Sequence, residues 1–284
     1  MKHRSTKLVL VICLLWLSAC SSTTFVYNRL DIVLPWYLDD YVELDSAQDE
    51  QLDDLLAPFL AWHRQEELPR YITLLDRLDS SLDQQLTAAD IAAIYDEIQA
   101  GWLRLEGRAL EWLLVMGASL SDRQVDSFLE HLQEQQRDFE KKYLSRSGRK
   151  YREDAYDRLL DSMQDYLGRL DRSQRDRLRE AVDGLQRADS IWLQERAAWL
   201  AQLELILQRD PGWQQQILDA VADREENTSL VYRETFQQNM TMMFGAIADV
   251  LNSRSARQDK RLRGELNDLR DDLQTLVDQG VTAG

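Results

Sequence analysis

A helix-start signal that recurs four times constrains the fold of this chain more than any other sequence feature. In each copy an apolar residue precedes Asp, Thr or Ser, and a side chain with a carbonyl oxygen follows three positions later. These are the marks of a capping box with a hydrophobic staple, in which both side chains satisfy backbone N–H groups at a helix start. The copies occupy residues 44–48, 86–90, 120–124 and 170–174.

The stretches between and after these signals have helical periodicity, and only 11 Gly and 4 Pro interrupt the chain. A seven-residue apolar spacing over residues 178–206 predicts one long helix lying on its neighbours. Residues 262–276 have Leu at alternating spacings of four and three, which is the seam of a coiled coil and would close a bundle. Because the signals are too unevenly spaced for a solenoid, we predict an all-α bundle of about six to eight long, mostly antiparallel helices.

The first 20 residues have the organisation of a bacterial lipoprotein signal. Lys2, Arg4 and Lys7 precede an apolar run over residues 8–17, which is too short to span a bilayer because a spanning helix needs about 20 residues. The run ends in Leu-Ser-Ala-Cys, which resembles the lipobox at which such signals are cleaved and the cysteine, here Cys20, is acylated. The alternative is an ordinary secretory signal that happens to carry a cysteine.

The lipobox resemblance implies a lipoprotein with palmitate among its acyl chains. Each buried methylene contributes about 0.8 kcal/mol, so two or three chains hold a protein firmly at a membrane. Ser21 follows Cys20 in place of the Asp that resembles an inner-membrane retention signal, so we expect the periplasmic face of the outer membrane rather than the inner membrane. The resulting division is a signal peptide over 1–19, a lipidated tether over 20–40 and a helical domain over 41–284, within which helix 255–279 is a candidate for separate packing.

The stretch over residues 27–41, ahead of the first helix-start signal, contains four aromatic residues, Tyr27, Trp36, Tyr37 and Tyr41. They could pack on the helical domain or lie at the membrane interface. We favour packing, because the neighbouring acidic residues 39 and 40 would be repelled by anionic lipid head groups.

The charge balance argues against nucleic acid as a partner. The chain has 50 acidic and 34 basic residues and a formal net charge of −16, which would repel a phosphate backbone. The two cysteines are Cys13 and Cys20. Cleavage of the signal would remove Cys13, so the mature chain could form no intrachain disulfide.

The densest polar and aromatic stretch contains a candidate functional cluster of Trp62, His63, Glu66, Glu67 and Tyr71. His63 and Glu67 are four residues apart and would share one face of a helix. This is half of a metal-binding pattern, but neither the HExxH nor the HxxEH spacing is present. We expect a structural hydrogen bond between His63 and Glu67, and no metal, cofactor or catalytic residue. The alternative is a hydrolase or metal-dependent enzyme that uses His63 with Glu66 or Glu67.

A basic island interrupts the acidic chain near its middle. Its candidate contact residues are Lys141, Lys142, Arg146, Arg149, Lys150 and Arg152. Cations are favoured near the C-terminal end of a helix, so much of the island has a structural explanation. The functional alternative is contact with a lipid phosphate or a peptidoglycan carboxylate, which would make the protein a passive peptidoglycan-contacting module.

The lipobox and a set of downstream positions resemble a family of uncharacterised proteobacterial lipoproteins, the domain-of-unknown-function family 6279. The positions that carry this resemblance are Tyr27, Leu30, Asp31, Trp36, Asp39, Asp40, Tyr41, Gln48, Trp62, His63, Glu67, Leu68, Pro69 and Tyr71. The resemblance covers most of the mature chain and implies a helical periplasmic lipoprotein without supplying an activity. A weaker likeness is to the Spy-like periplasmic chaperones, whose helices open with Leu-Thr-x-x-Gln. Three of the helix-start signals have that Leu and Gln, with Asp or Ser in place of Thr.

These observations favour a non-enzymatic interaction protein that takes part in envelope assembly or holds clients as a chaperone does. Its expected partners are the membrane, through the acyl chains on Cys20, and envelope proteins or peptidoglycan.

Overall fold

The computed structural model describes residues 22–282, and the regular structure in that range is helical. The helices are α1 (Ser22–Tyr27), α2 (Leu30–Asp39), α3 (Ser46–Trp62), α4 (Leu68–Ser81), α5 (Ala88–Ser119), α6 (Asp122–Leu144), α7 (Gly148–Leu167), α8 (Arg172–Asp183), α9 (Asp189–Ile206), α10 (Trp213–Ala222), α11 (Arg224–Asn227), α12 (Leu230–Asn252) and α13 (Ala256–Thr282). A π turn, His63–Glu67, joins α3 to α4. The prediction of an all-α bundle is confirmed.

All four predicted capping boxes are present, and they begin α3, α5, α6 and α8. In each box the side chain of Asp45, Thr87, Ser121 or Asp171 accepts a hydrogen bond from the backbone N–H three residues later. The side chain at that later position accepts one from the N-cap backbone in return. Each N-cap side chain stabilises its helix by about 1 kcal/mol.

The cap glutamines also join helix starts to one another. The side-chain amides of Gln174 and Gln258 exchange hydrogen bonds of 3.2 and 2.9 Å, and those of Gln48 and Gln124 do so at 3.2 and 2.7 Å. Gln258 also closes a further capping box with Ser255 at the start of α13. Gln174 and Gln258 are both buried, so their pairing fixes the starts of α8 and α13 against each other.

We expect Gln174→Ala to lower the free energy of unfolding by about 2–3 kcal/mol, because it leaves the buried Gln258 amide short of a partner and opens a small cavity. Thr87→Ala removes a cap that has no such cross-link and should cost about 1 kcal/mol. Urea unfolding followed by circular dichroism measures both values. A Gln174→Ala loss no larger than the Thr87→Ala loss would contradict a role for the glutamine pair beyond capping.

The largest hydrophobic cluster is formed by side chains of α4, α5, α7, α8, α12 and α13, and its centre includes the fully buried Leu170, Leu178 and Val250. The leucine seam of α13 faces inward along α4 and α7, and Leu276 is fully buried. Helix α13 therefore packs along α4 and α7 through this seam.

Within the range 20–40, which we assigned to a lipidated tether, residues 22–27 and 30–39 form α1 and α2. Leu34 and Leu38 of α2 pack against a cluster centred on Leu52 and Leu56 of α3, because Leu residues spaced four apart give α2 an apolar side. The predicted signal peptide and Cys20 lie outside the described residues. No helix within residues 22–282 has both the length and the apolar character needed to cross a bilayer.

The apolar spacing over residues 178–206 does not continue through one helix. Helix α8 ends at Asp183 and α9 begins at Asp189. At the break, the Asn239 side-chain amide bonds the backbone N–H and C=O of Gln186, at 2.9 Å each. Gly184 lies so close to Met242 that a Cβ there would overlap the methionine side chain. Contacts with α12 therefore divide a stretch whose spacing predicts a single helix.

Candidate functional site

The candidate cluster between Trp62 and Tyr71 is built on the π turn that interrupts the long helix formed by α3 and α4. The backbone N–H of Leu68 donates to the carbonyl oxygen of His63, five residues earlier. Pro69 follows directly and has no N–H, and its ring would clash with the carbonyl of a regular α turn. The wider π turn accommodates this proline. Such turns within α-helices occur frequently at functional sites.

The π turn places the Glu67 side chain in the interior, where it is 1% exposed. Its two carboxylate oxygens accept hydrogen bonds of 2.7 and 2.9 Å from the guanidinium of Arg104 on α5. A second guanidinium, that of Arg70, lies 3.5 Å away. Burial raises the pKa of the neighbouring Tyr71 hydroxyl, and the negative charge of Glu67 raises it further. The centre of the cluster is thus a bidentate ion pair with a buried carboxylate.

Gly101 of α5 allows Tyr71 to approach this pair. A Cβ at Gly101 would lie 3.3 Å from Cε1 of Tyr71 and 3.5 Å from the guanidinium of Arg104. The first separation is tighter than ordinary van der Waals contact, and the second is an ordinary contact. The close approach keeps the Tyr71 ring beside the Glu67–Arg104 pair.

His63 bonds to a residue of α1 rather than to Glu67. Its Nδ1 atom lies 2.8 Å from the hydroxyl of Tyr27, and its ring meets the Tyr71 ring edge to face at 5.8 Å. Burial lowers the pKa of His63 below its usual 6.5 and raises the pKa of Tyr27 to about 12, so both side chains are neutral at pH 7. In place of the expected hydrogen bond between them, His63 bonds to Tyr27 of α1 and Glu67 bonds to Arg104 of α5.

The structure brings together His63, Glu67 and Tyr71 of the five candidate residues. Glu66 is exposed. Trp62 lies at the edge of the cluster, where its ring packs on Phe59 at 5.9 Å and meets the His63 ring edge to face at 6.3 Å. Tyr27 and Arg104 complete the cluster, and neither was selected from the sequence as a site residue. We call Tyr27, His63, Glu67, Tyr71 and Arg104 the π-turn clasp.

The π-turn clasp fixes α1 and α5 to the centre of a long helix. Both oxygens of Glu67 bond to Arg104, so the clasp offers no free carboxylate beside His63 for proton transfer. Within the described part of the chain, no group of three or more His, Cys, Asp or Glu side chains is placed to hold a metal ion. The geometry is therefore that of a structural connection between chain segments distant in sequence.

Helix α1 is also tied to the last helix of the bundle. The Asn28 side chain donates to Gln279 of α13 and accepts from Arg64 of the π turn, both at 2.9 Å. The Arg64 guanidinium lies over the Tyr27 ring, 5.2 Å from its centre. The segment that follows the predicted lipidation site is thus bonded both to the π turn and to α13.

We expect protonation of His63 to destabilise the fold. The folded-state pKa lies below the unfolded value of 6.5, so the unfolded chain takes up the proton first as the pH falls. Stability is therefore complete above about pH 6.5 and declines through the window between that value and the folded pKa. Urea unfolding of the wild type and His63→Gln across this range measures the effect, since glutamine cannot titrate. Parallel pH profiles for the two proteins would contradict it.

The basic island is largely neutralised by its own neighbours. The Arg146 side chain is 10% exposed and pairs with Asp189 at 2.6 Å and with Asp154 at 3.0 Å. Further ion pairs join Lys141 to Asp138, Arg149 to Glu153 and Lys150 to Asp154. Lys142 lies over the ring of Tyr143, while Arg152 is half-buried. Arg146 thus has a structural role at the junction of α6, α7 and α9.

Two adjoining apolar cavities lie between α2, α3, α5, α9 and α10. Their volumes are about 390 and 610 Å³, within the roughly 300–1,000 Å³ of typical ligand sites. Trp112, Leu113 and Leu203 line both cavities. The first is almost wholly apolar, whereas the second also reaches His63 of the π-turn clasp.

Helices α1 and α2 present a second apolar surface, which faces outward. The most exposed side chains are Phe25 at 56%, Ile32 at 63%, Trp36 at 69% and Tyr37 at 53%. Tyr37 is half exposed but contacts the Tyr41 ring at 5.4 Å, so the expectation that the aromatic residues of this region pack on the domain fails for Trp36. It holds for Tyr27, in the π-turn clasp, and for Tyr41, which contacts the His131 ring at 4.6 Å. We call Phe25, Val26, Ile32, Val33 and Trp36 the outer face.

Comparison with known proteins gives one family match. The model of the family of unknown function DUF6279 matches residues 40–233, a range that contains Glu67, Arg104 and the basic island. Neither a curated protein nor a solved structure matches the chain. The likeness to Spy-like chaperones has no counterpart among these findings.

Proposed function

We propose that this chain, which belongs to the family of unknown function DUF6279, is a non-enzymatic lipoprotein whose helical bundle rests on the periplasmic surface of the outer membrane. In this role acyl chains on Cys20 provide attachment and the outer face of α1 and α2 provides orientation. The bundle then presents its remaining surface to envelope proteins, as an assembly or chaperone-like factor would.

The outer face is the observation that carries this proposal. On α2, Ile32, Val33 and Trp36 occupy one side, and a leucine row at residues 30, 34 and 38 occupies the other. Apart from Asp31 and Asp39, the side chains of α2 are apolar. A helix that is apolar on both sides is normally buried on both sides, yet only the leucine side is covered by the bundle. Trp and Tyr side chains favour the membrane–water interface. A membrane surface therefore suits the exposed side.

The position of α1 supports the same occupant. It begins at Ser22, two residues after Cys20, and two residues span at most about 7 Å. Acyl chains inserted in a bilayer would hold the start of α1 against the head groups. The exposed Arg29, whose guanidinium lies 3.7 Å from the Phe25 ring centre, would be within reach of lipid phosphates.

In the proposed arrangement the lipid anchor supplies most of the membrane attachment, because the charges on α2 are unfavourable for binding a membrane. Interfacial helices that bind unaided are usually rich in Lys and Arg, whereas α2 has Asp31 and Asp39 and no basic residue. We therefore expect the outer face to orient a protein that is already anchored and to bind weakly by itself.

Fluorescence quenching in vesicles tests this orientation. The lipidated protein carries a polarity-sensitive probe on a single introduced cysteine, either Val33→Cys on the outer face or Arg172→Cys at the exposed start of α8. Lipids with a spin label near the head group should quench the probe at position 33 and leave the probe at 172 bright. Equal quenching at the two positions would refute the proposed orientation while leaving the lipid anchor intact.

A further inference from the structure

We propose that the two adjoining cavities form one binding site for the acyl chain of an amphiphilic lipid. The known family supplies no ligand, and this site is separate from the outer face that orients the bundle. The shape of the two cavities, the side chains that line them and the position of the polar groups support an acyl-chain site.

The lining suits a long apolar chain. Leucine and aromatic side chains from α2, α3, α5, α6, α9 and α10 surround the first cavity, of about 390 Å³. An apolar site of this kind does not hold water well, because a buried water needs two to four polar partners. A flexible acyl chain requires no polar partner along its length, so it is chemically matched to the space.

Trp112 lies where the two cavities meet. Leu110, Leu113, Leu203 and Ile217 line both cavities with it. The Trp112 Nε1 atom is buried and has no hydrogen-bond partner. No hydrogen bond therefore fixes the indole at the junction of the two cavities, and the proposed single site requires this ring to turn so that one acyl chain can enter both.

The polar groups of the site are confined to the second cavity. There Arg224 of α11 bonds both carboxylate oxygens of Glu106, at 2.8 and 3.1 Å, and the Arg224 side chain is 43% exposed. His63 lines the same cavity. A ligand with its acyl chain in the first cavity would place its polar head beside this accessible ion pair. The occupant is therefore an amphiphile rather than a pure hydrocarbon.

The site adjoins the surface that we expect to face the membrane. Leu30 and Leu34 of α2 line the second cavity and Leu38 lines the first, on the side of α2 opposite the outer face. Delivery of a lipid from the bilayer to this site depends on the proposed orientation of the bundle, whereas binding of an acyl chain to the site does not. The acyl chain could come from a bilayer lipid or from the protein's own anchor on Cys20.

Binding in solution tests the site without any membrane. The chain from Ser21 onward retains every described residue and carries no anchor, and palmitate and a palmitoyl lysophospholipid serve as probes below their micelle concentrations. We expect saturable binding of one chain per protein, measured by displacement of a fluorescent fatty acid. Absence of saturable binding of either probe would overturn the proposal.

A cavity-filling variant and a matched control locate the site. Ala109→Trp adds a ring to the second cavity, whereas Ala118→Trp adds the same ring to the exposed side of α5. Each excluded methylene should weaken binding about four-fold, so Ala109→Trp should bind at least ten-fold more weakly than Ala118→Trp. Equal affinities would overturn the assignment. If Ala109→Trp fails to fold, crosslinking of wild type with a diazirine palmitate decides. Labels scattered outside the helices that line the two cavities, which are α2, α3, α5, α6, α9, α10 and α11, would also overturn the assignment.

The lipidated protein distinguishes the two sources of the acyl chain. If bilayer lipid is the ligand, the lipidated and anchor-free forms should take up the diazirine palmitate equally. If the anchor occupies its own cavity, the lipidated form should resist labelling while the anchor-free form accepts it. Either pattern supports an acyl-chain site, and absence of labelling in both forms contradicts it. An anchored protein that binds palmitate but fails the vesicle quenching test would retain this site and lose the proposed orientation.

Discussion

Replacing Arg104 by Leu should lower the free energy of unfolding by about 3–5 kcal/mol, because it leaves the Glu67 carboxylate buried without its bidentate partner. Glu67 is 1% exposed, so water cannot replace the lost hydrogen bonds. The remaining cation near it, Arg70, lies 3.5 Å from one oxygen and is itself half exposed. The carboxylate must then either take up a proton or draw water into the core, and both cost stability.

Two further variants make this prediction specific. Arg108 lies one turn away on the same helix, and its pair with Glu111 is exposed, so Arg108→Leu should cost no more than about 0.5 kcal/mol. In the double variant Glu67→Leu with Arg104→Leu, no buried charge is left unpaired, and much of the stability should return. Urea unfolding of the four proteins gives the comparison. A loss in Arg104→Leu no larger than that in Arg108→Leu would show that the clasp adds little to stability.

Replacing Arg146 by Ala is the second substitution with a large expected effect, about 2–4 kcal/mol. Arg146 bridges Asp189 and Asp154 from a position only 10% exposed. Burial alone would raise the pKa of Asp189, but hydrogen bonds from Arg146 and Arg187 lower it overall. The exposed Arg149 on the same island is the matched control, and Arg149→Ala should change the free energy of unfolding little.

The pH dependence of the Arg146→Ala loss checks its electrostatic origin. Because the folded-state pKa of Asp189 is depressed, the stability from this pair is present above the usual aspartate pKa of 3.8. It disappears as the pH falls through the folded value. The difference between wild type and Arg146→Ala should therefore shrink in acid. A difference that stays constant would assign the loss to the contacts of the Arg146 guanidinium with the rings of Tyr143 and Tyr151, whose centres each lie 4.9 Å away.

The helix starts could be predicted from the sequence because a capping box is a local device. Asp45 and Gln48 need only each other and one turn of backbone to form it. The box at Ser255 and Gln258 was missed because Arg254, and not an apolar staple residue, precedes it. The pairing of Gln174 with Gln258 could not be predicted, since it depends on how α8 and α13 meet in the bundle.

Part of the candidate site could be predicted because its signal, like a capping box, is local in sequence. A local stretch of polar and aromatic residues indicated the π turn region, and His63, Glu67 and Tyr71 do meet there. The four-residue spacing of His63 and Glu67 led to the wrong expectation of a hydrogen bond between them. The π turn adds a residue to the helical repeat, so the two side chains are offset from a shared helix face. Their actual partners, Tyr27 and Arg104, come from other helices.

The contact between α1 and α13 has a mechanical consequence. A pull on an anchor at Cys20 would reach α1 first, and α1 is joined to α13 through Asn28 and Gln279 and to the π turn through Tyr27 and His63. The load would therefore be divided at once between the first helix, the last helix and the middle of the α3–α4 helix. Such a chain resists being unravelled from its tethered end, because no single terminal helix bears the force alone.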